Sequence, residues 1–84
     1  MFRHSNNYSV KLTGRAGLVY SEGSKHMFVD SELLAGPTFD IVVFGDSIKS
    51  WAPPHQSEAI SAEDVLRIRG NIAEALNSMR VDWQ

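Results

Sequence analysis

Three carboxylates of this 84-residue chain are spaced so that strands could bring them together: Glu22, Asp30 and Glu32. Asp30 and Glu32 lie two residues apart, so they share one face of any strand that contains them. Paired carboxylates perform acid–base chemistry when their environments push their pKa values apart, usually in a cleft. A domain of this size has little room for a cleft besides its core. The spacing therefore favours a solvated acidic face first, recognition of a partner second and catalysis third.

The histidines give no sign of a metal or catalytic site. His4, His26 and His55 lack the spacing of a helical metal pair, and the chain has no cysteine. No glycine-rich phosphate loop precedes a helix, and no serine lies in a nucleophile elbow. We therefore predict a non-enzymatic protein without metal or cofactor. His55 follows Pro54 in a loop and is kept as a candidate partner contact.

Trp51 raises a separate question, because the segment that follows it, residues 52–60, contains two prolines. Prolines stiffen a segment, so an exposed Trp51 would lose little conformational entropy when it docked on a partner. In the other interpretation Trp51 folds back and closes the core. Large aromatic residues near strand ends usually pack inward. The core is therefore favoured, and the sequence leaves both roles open.

The charge distribution indicates which partners the chain could bind. The formal net charge is −2, and residues 22–64 contain eight acids against two lysines. Lysine and arginine do not cluster, and an acidic middle repels phosphates, so we predict no nucleic-acid partner. The middle is either a solvated surface, which is the usual case for charge runs, or a face complementary to a basic protein.

Strands are predicted from hydrophobic alternation and β-branched residues at 8–13, 18–22, 25–35 and 38–45. Gly23 and Ser24 predict a tight hairpin turn between the second and third strands. Residues 47–51 are predicted to form a last edge strand or a turn. The sheet would then occupy residues 8–51, and residues 1–7 are expected to be disordered.

Residues 52–60 are predicted to form a loop, and a helix over 61–80 follows from apolar residues at spacings of three and four. Ser61 is the predicted N-cap of that helix. These elements predict one α+β domain over 1–84: a four- to five-stranded antiparallel β-meander with one C-terminal helix packed on one face. The other sheet face would be open to water or to a partner.

The chain offers no signal for a membrane or for secretion. Its fully apolar runs are only a few residues long, whereas a membrane-spanning helix needs about 20 apolar residues. The opening residues lack the apolar core of a secretory signal. We therefore expect a cytoplasmic protein.

Short motifs along most of the chain, roughly residues 10–80, resemble a small family of immunity proteins from bacterial polymorphic toxin systems. The motifs are LTGRAGL at 12–18, Tyr20 with Glu22 and Gly23, FVDSE at 28–32, Ser47 with Ile48, Trp51, Pro53 with Pro54, and a capped helix with Ile68 and Ile72. None of these motifs is catalytic, and their order is more specific than any one of them.

The resemblance implies a cytoplasmic protein, made beside a toxin, that binds the toxin domain and neutralises it. Many toxins of such systems are nucleases, which present a basic groove to their substrate. An acidic inhibitor surface would be steered to that groove. The candidate partner-binding residues are Glu22, Asp30, Glu32, Asp46, Trp51 and His55. The alternative is a structural or oligomerisation module that forms a homodimer through its open sheet face or an edge strand.

Overall fold

A computed structural model describes residues 2–4 and 8–84 of the chain. In this part of the chain one sheet contains all of the strands. The strands are β1 (Phe2–His4), β2 (Tyr8–Leu12), β3 (Ala16–Glu22), β4 (Lys25–Leu33), β5 (Ile41–Val43) and β6 (Val81–Trp83). A 3₁₀ turn (Gly45–Ser47) follows β5, and the helix α1 (Ala62–Ala75) precedes β6.

The strands lie in the sheet in the order in which they occur in the chain. From β1 to β5 each strand pairs antiparallel with the next, as in a meander. Gly23 closes the β3–β4 hairpin with a φ of 61°, and Glu22 pairs with Lys25 directly across that turn. β6 pairs with β5 in parallel, because α1 returns the chain to the other end of the sheet before β6 begins.

Side chains of β4 alternate between the two faces of the sheet, and this alternation decides which of them can meet a partner. The set on the side that carries α1 is buried and comprises Met27, Val29 and Ser31. The exposed set on the other side comprises His26, Phe28, Asp30 and Glu32. On β4, only the side chains toward α1 therefore belong to the core. On β5 both faces are buried, because Val42 on the opposite face is only 8% exposed.

The helix α1 begins at a capping box. Ser61 Oγ accepts a hydrogen bond from the Asp64 backbone N–H at 3.1 Å, and the Asp64 carboxylate accepts one from the Ser61 N–H at 3.0 Å. Ile68 and Ile72 on the inner side of α1 are fully buried, and Leu76 at the C-cap joins them. This apolar stripe fixes α1 against the sheet.

The α+β class, the meander-like strand order and the single helix on one face are confirmed. The sheet differs from the predicted four- to five-stranded antiparallel meander in one respect, because β6 adds a sixth strand that pairs in parallel at the edge. Asn77 and Ser78, which have low helix propensity, follow the end of α1, so the predicted helix over 61–80 is too long at its C-terminal end.

Three further segments differ from the sequence predictions. Over 38–45, only Ile41–Val43 is strand. Of the edge strand or turn predicted at 47–51, the strand does not form: Ser47 ends the 3₁₀ turn, and residues 48–51 have no regular secondary structure. Of residues 1–7, which were expected to be disordered, Phe2–His4 pairs with β2 as a strand. The rest of that segment lies outside the described residues.

Candidate functional site

The sheet face that points away from α1 is called here the open face. Strand register aligns its side chains in rows that cross the sheet. One row contains Lys11, Val19 and Phe28, and another contains Glu32, Val42 and Asp82. Asp30 lies between these rows on β4. The open face therefore has a basic residue on the β2 side and a concentration of acids on the side of β4 to β6.

Two of the predicted carboxylates, Asp30 and Glu32, lie together on the open face and are exposed. Neither carboxylate forms an ion pair or a side-chain hydrogen bond within the described residues. The two other acids on described strands, Glu22 and Asp82, are half-buried and have partners. Glu22 pairs with Arg67, and Asp82 Oδ1 accepts a hydrogen bond from Gln84 Nε2 at 2.9 Å. Asp30 and Glu32 are thus negative charges that the fold itself does not use.

The predicted residue Asp46 is exposed in the 3₁₀ turn, and that turn is held against β4 beside Asp30. Ser47 Oγ accepts a hydrogen bond from the Asp30 N–H at 2.8 Å and donates one to the Phe44 carbonyl at 2.6 Å. The Phe44 N–H donates in turn to the Asp30 carbonyl at 2.9 Å. These three bonds fix the position of the turn relative to the acidic part of the open face.

Phe28 is an exposed aromatic residue on the open face, and sequence reasoning did not single it out as a site residue. Its side chain is 57% exposed, although it lies on a central strand. A Cβ at Gly17 would lie 2.5 Å from Cζ of Phe28, so the ring rests directly on the Gly17 backbone. The signal was available in the sequence, because Phe28 shares its strand parity with Asp30 and Glu32.

Glu22 is on the opposite side of the sheet from Asp30 and Glu32, so the three carboxylates do not form one cluster. Arg67 of α1 donates to both carboxylate oxygens of Glu22, at 2.9 and 3.1 Å, and the Tyr20 hydroxyl donates to Oε2 at 2.7 Å. Desolvation works to raise the pKa of Glu22, but the Arg67 and Tyr20 hydrogen bonds outweigh it and lower that pKa. Glu22 ties α1 to the sheet.

Trp51 is 5% exposed and belongs to the hydrophobic core. Its ring centroid lies 6.3 Å from that of Tyr20, and Lys25 Nζ lies 5.6 Å from the Trp51 ring. The Ala52 N–H donates to the His26 carbonyl at 2.7 Å and anchors the start of the loop to β4. Of the two roles that the sequence left open, the structure has Trp51 in the core.

His55 is part of a small polar cluster, with Glu58 and Lys25, that holds the loop to the hairpin end of the sheet. Its Nδ1 is 2.6 Å from Glu58 Oε2, and Lys25 Nζ is 2.6 Å from Glu58 Oε1. Lys25 also contacts Trp51, so the cluster lies on the α1 side of the sheet. The structure therefore has Asp30 and Glu32 together on the open face, holds the turn that contains Asp46 at the Asp30 backbone, and leaves His55 apart from them.

Tyr8 on β2 contacts α1 through a hydrogen bond that requires its phenol to be protonated. Its hydroxyl donates to Glu74 Oε1 at 2.7 Å. Burial, reinforced by the nearby Glu74 carboxylate, raises the pKa of Tyr8 from 10.0 to about 12. The phenol therefore stays protonated in the folded protein at pH values that would ionise it in the unfolded chain.

We expect the free energy of unfolding to decrease as the pH rises from 10.0, the ordinary tyrosine pKa, to about 12. A folded-state pKa above the unfolded value contributes stability that is complete below 10.0 and is lost as the pH passes through the raised pKa. Denaturant unfolding over this pH range measures the slope. Tyr8→Phe should have a shallower slope, and an unchanged slope in that variant would contradict the assignment.

No group of three or more His, Asp or Glu side chains in the described part of the chain is placed so that it could hold a metal ion. The one described α-helix is neither long nor apolar enough to cross a membrane. What the described residues do present is a two-layer α+β domain, with one sheet face covered by α1 and an open face that carries exposed acids and Phe28.

A family of immunity proteins shares this chain's sequence pattern. The sequence profile of the family described as Immunity protein 74 matches residues 10–83, which is most of the chain. The protein belongs to this family, and its role is therefore an immunity role. This confirms the resemblance to immunity proteins. No curated protein and no solved structure matches the chain.

Proposed function

We propose that this protein binds a cognate bacterial toxin domain inside the producing cell and neutralises it by occupying a basic surface of the toxin. The single observation that carries the proposal is the pair Asp30 and Glu32, two exposed carboxylates without a cationic partner among the described residues. They lie on the sheet face opposite α1. Membership of an immunity protein family supplies the class of partner.

Charge complementarity explains why the open face suits such a partner. Unpaired carboxylates attract a basic surface during diffusional encounter, and they repel partners of like charge. A nuclease is the toxin type that fits best, because its substrate groove must be basic to hold phosphates. An acidic sheet face seated in that groove would block access of the nucleic acid without any chemical step.

Neutralisation by binding predicts a stoichiometric titration. We expect the activity of the toxin domain encoded beside this gene to fall linearly as the protein is added, and to reach its minimum at a fixed molar ratio. The inhibited mixture should contain a complex whose mass is the sum of its components. The measurement combines an activity titration with light scattering after size exclusion.

Two outcomes would contradict the proposal. Inhibition by a small fraction of one equivalent, with the toxin chemically altered, would indicate an enzyme. A protein that leaves the toxin active and instead doubles its own mass with concentration would indicate a homodimer, which is the alternative that the uncovered sheet face also allows.

A further inference from the structure

We infer that Phe28, Asp30 and Phe44 together form a receptor for one arginine side chain of the toxin. These residues are called here the Phe28–Asp30–Phe44 cluster, and the inference rests on the proposed function because it names the chemistry with which the same face recognises its partner. A carboxylate with two exposed phenylalanines as neighbours offers a cation both an ion pair and an aromatic surface. Within the described residues, no lysine or arginine pairs with Asp30 or lies over the ring of Phe28 or Phe44.

The backbone places the three residues next to one another. Phe28 and Asp30 are two residues apart on β4, so both side chains lie on the same face of the sheet. Phe44 follows β5, whose register sets Val43 opposite Ser31, and its N–H donates to the Asp30 carbonyl at 2.9 Å. Phe44 is thus the cross-strand neighbour of Asp30. Its backbone is extended and its side chain is 41% exposed.

Phe28 is held in place before any partner arrives. Gly17 has a φ of 87°, and a Cβ there would lie 2.5 Å from Cζ of Phe28 and 2.9 Å from Thr13 Oγ1. The ring therefore fills the space that any other residue at position 17 would occupy. A large side chain that is ordered in the free protein loses less entropy on binding than a mobile one, which suits an anchor residue at an interface.

Arginine fits this cluster better than lysine does. Its guanidinium is planar, so it stacks on an aromatic ring while its N–H groups remain free to donate to a carboxylate in the same plane. A lysine ammonium is a compact and strongly hydrated charge that gains less from a ring face. The molecule shows the same chemistry elsewhere, because the Arg69 guanidinium lies 4.6 Å from the centroid of the Trp83 ring.

A pair of peptides tests the chemistry without any toxin. Capped tripeptides with a central arginine or a central lysine, and glycine on either side, are titrated into the isotope-labelled protein. We expect the arginine peptide to bind about three- to tenfold more tightly than the lysine peptide and to shift the resonances of the Phe28 ring and the Asp30 amide. Phe28→Leu keeps an apolar side chain but removes the ring, and it should abolish the preference for arginine.

The second experiment measures the dissociation constant for the purified toxin domain encoded beside the gene. Phe28→Leu should raise the dissociation constant about tenfold, as expected for loss of an aromatic anchor. Phe39→Leu makes the same change at another exposed phenylalanine and should leave it unchanged. Gly17→Ala should weaken binding by displacing the Phe28 ring. Gly23→Ala is its control, because Gly23 also has a positive φ but its Cβ would meet nothing.

The peptide titration and the toxin-binding measurement together distinguish an error in this inference from an error in the proposed function. If the toxin binds wild type and Phe28→Leu equally tightly, or if both peptides bind the wild type equally, the cluster is not an arginine receptor, and binding by another part of the protein still stands. If the toxin does not bind the wild type at all, the proposed function fails. An arginine preference in the peptide titration would then show that the cluster binds arginine, but the receptor for an arginine of the toxin would fail with the proposed function.

Discussion

Replacing Trp51 with alanine lowers the free energy of unfolding by about 3–5 kcal/mol, the usual cost of removing a buried tryptophan. Trp51 is 5% exposed and packs on Tyr20 in the core. A domain of this length has a total stability of about 4–13 kcal/mol, so the variant loses a large part of it and unfolds at room temperature if the wild type lies at the low end of that range. Denaturant unfolding followed by circular dichroism measures the difference.

Trp83 provides the matched control, since it is the other tryptophan and lies half-buried on the edge strand β6. Trp83→Ala should cost less, about 1–2 kcal/mol, which is ordinary for a partly exposed site. Trp51→Phe should recover much of the stability because it refills part of the cavity. If Trp51→Ala unfolds like the wild type but no longer captures the toxin, Trp51 is an interface residue and the core assignment is wrong.

Reversing both open-face charges, with Asp30→Lys and Glu32→Lys in one chain, should weaken toxin binding about 100-fold or more. Each substitution removes an attraction and places a like charge against the basic surface of the partner, which costs several kcal/mol at a close interface. Neither side chain makes an ion pair in the described structure, so the fold should be retained. Titration calorimetry measures the affinity and a thermal melt checks folding.

The position of the reversed charge matters more than the net charge. Glu63→Lys changes the charge by the same amount as Glu32→Lys, but Glu63 lies in the first turn of α1, on the other side of the sheet. We expect Glu32→Lys alone to weaken binding about tenfold or more and Glu63→Lys to have little effect. The difference should shrink at high ionic strength because salt screens exposed charges. Equal losses for the two variants would mean that only bulk charge is sensed.

The sheet could be predicted from the sequence because its signals are local. Alternation of apolar residues marks β2, β3 and β4, and Gly23 marks the hairpin turn that sets their register. Ser61 and the stripe through Ile68 and Ile72 likewise identify α1 and its inner face. Each of these features depends on residues a few positions apart, so no tertiary contact is needed to infer it.

The sequence could have predicted that Glu22 lies on the opposite face of the sheet from Asp30 and Glu32. A two-residue turn at Gly23 and Ser24 pairs Glu22 with Lys25, and Lys25 has the opposite parity from Asp30 on β4. Parity thus puts Glu22 on the α1 side, where the structure shows it bound to Arg67. The same rule puts Phe28 beside Asp30 on the open face.

The strand β6 could not be predicted from the sequence, because nothing local defines it. Val81–Trp83 is three residues long, and Trp83 follows Met79 by four residues, so it continues the helical spacing of the apolar residues before it. Its existence depends on contacts with a distant segment: Arg80 pairs with Asp40 at 2.9 Å and aligns β6 beside β5. The position of Asp82 on the open face follows from that pairing and was equally hidden.

The most direct measurement is a map of the backbone amides that change when the toxin domain is added to the isotope-labelled protein. We predict that the largest changes fall on β4 and the adjoining turn, at Phe28, Asp30, Glu32 and Asp46. The outer side of α1, with Leu66, Gly70 and Ala73, should remain unchanged. Changes confined to that outer side of α1 would contradict binding through the open face.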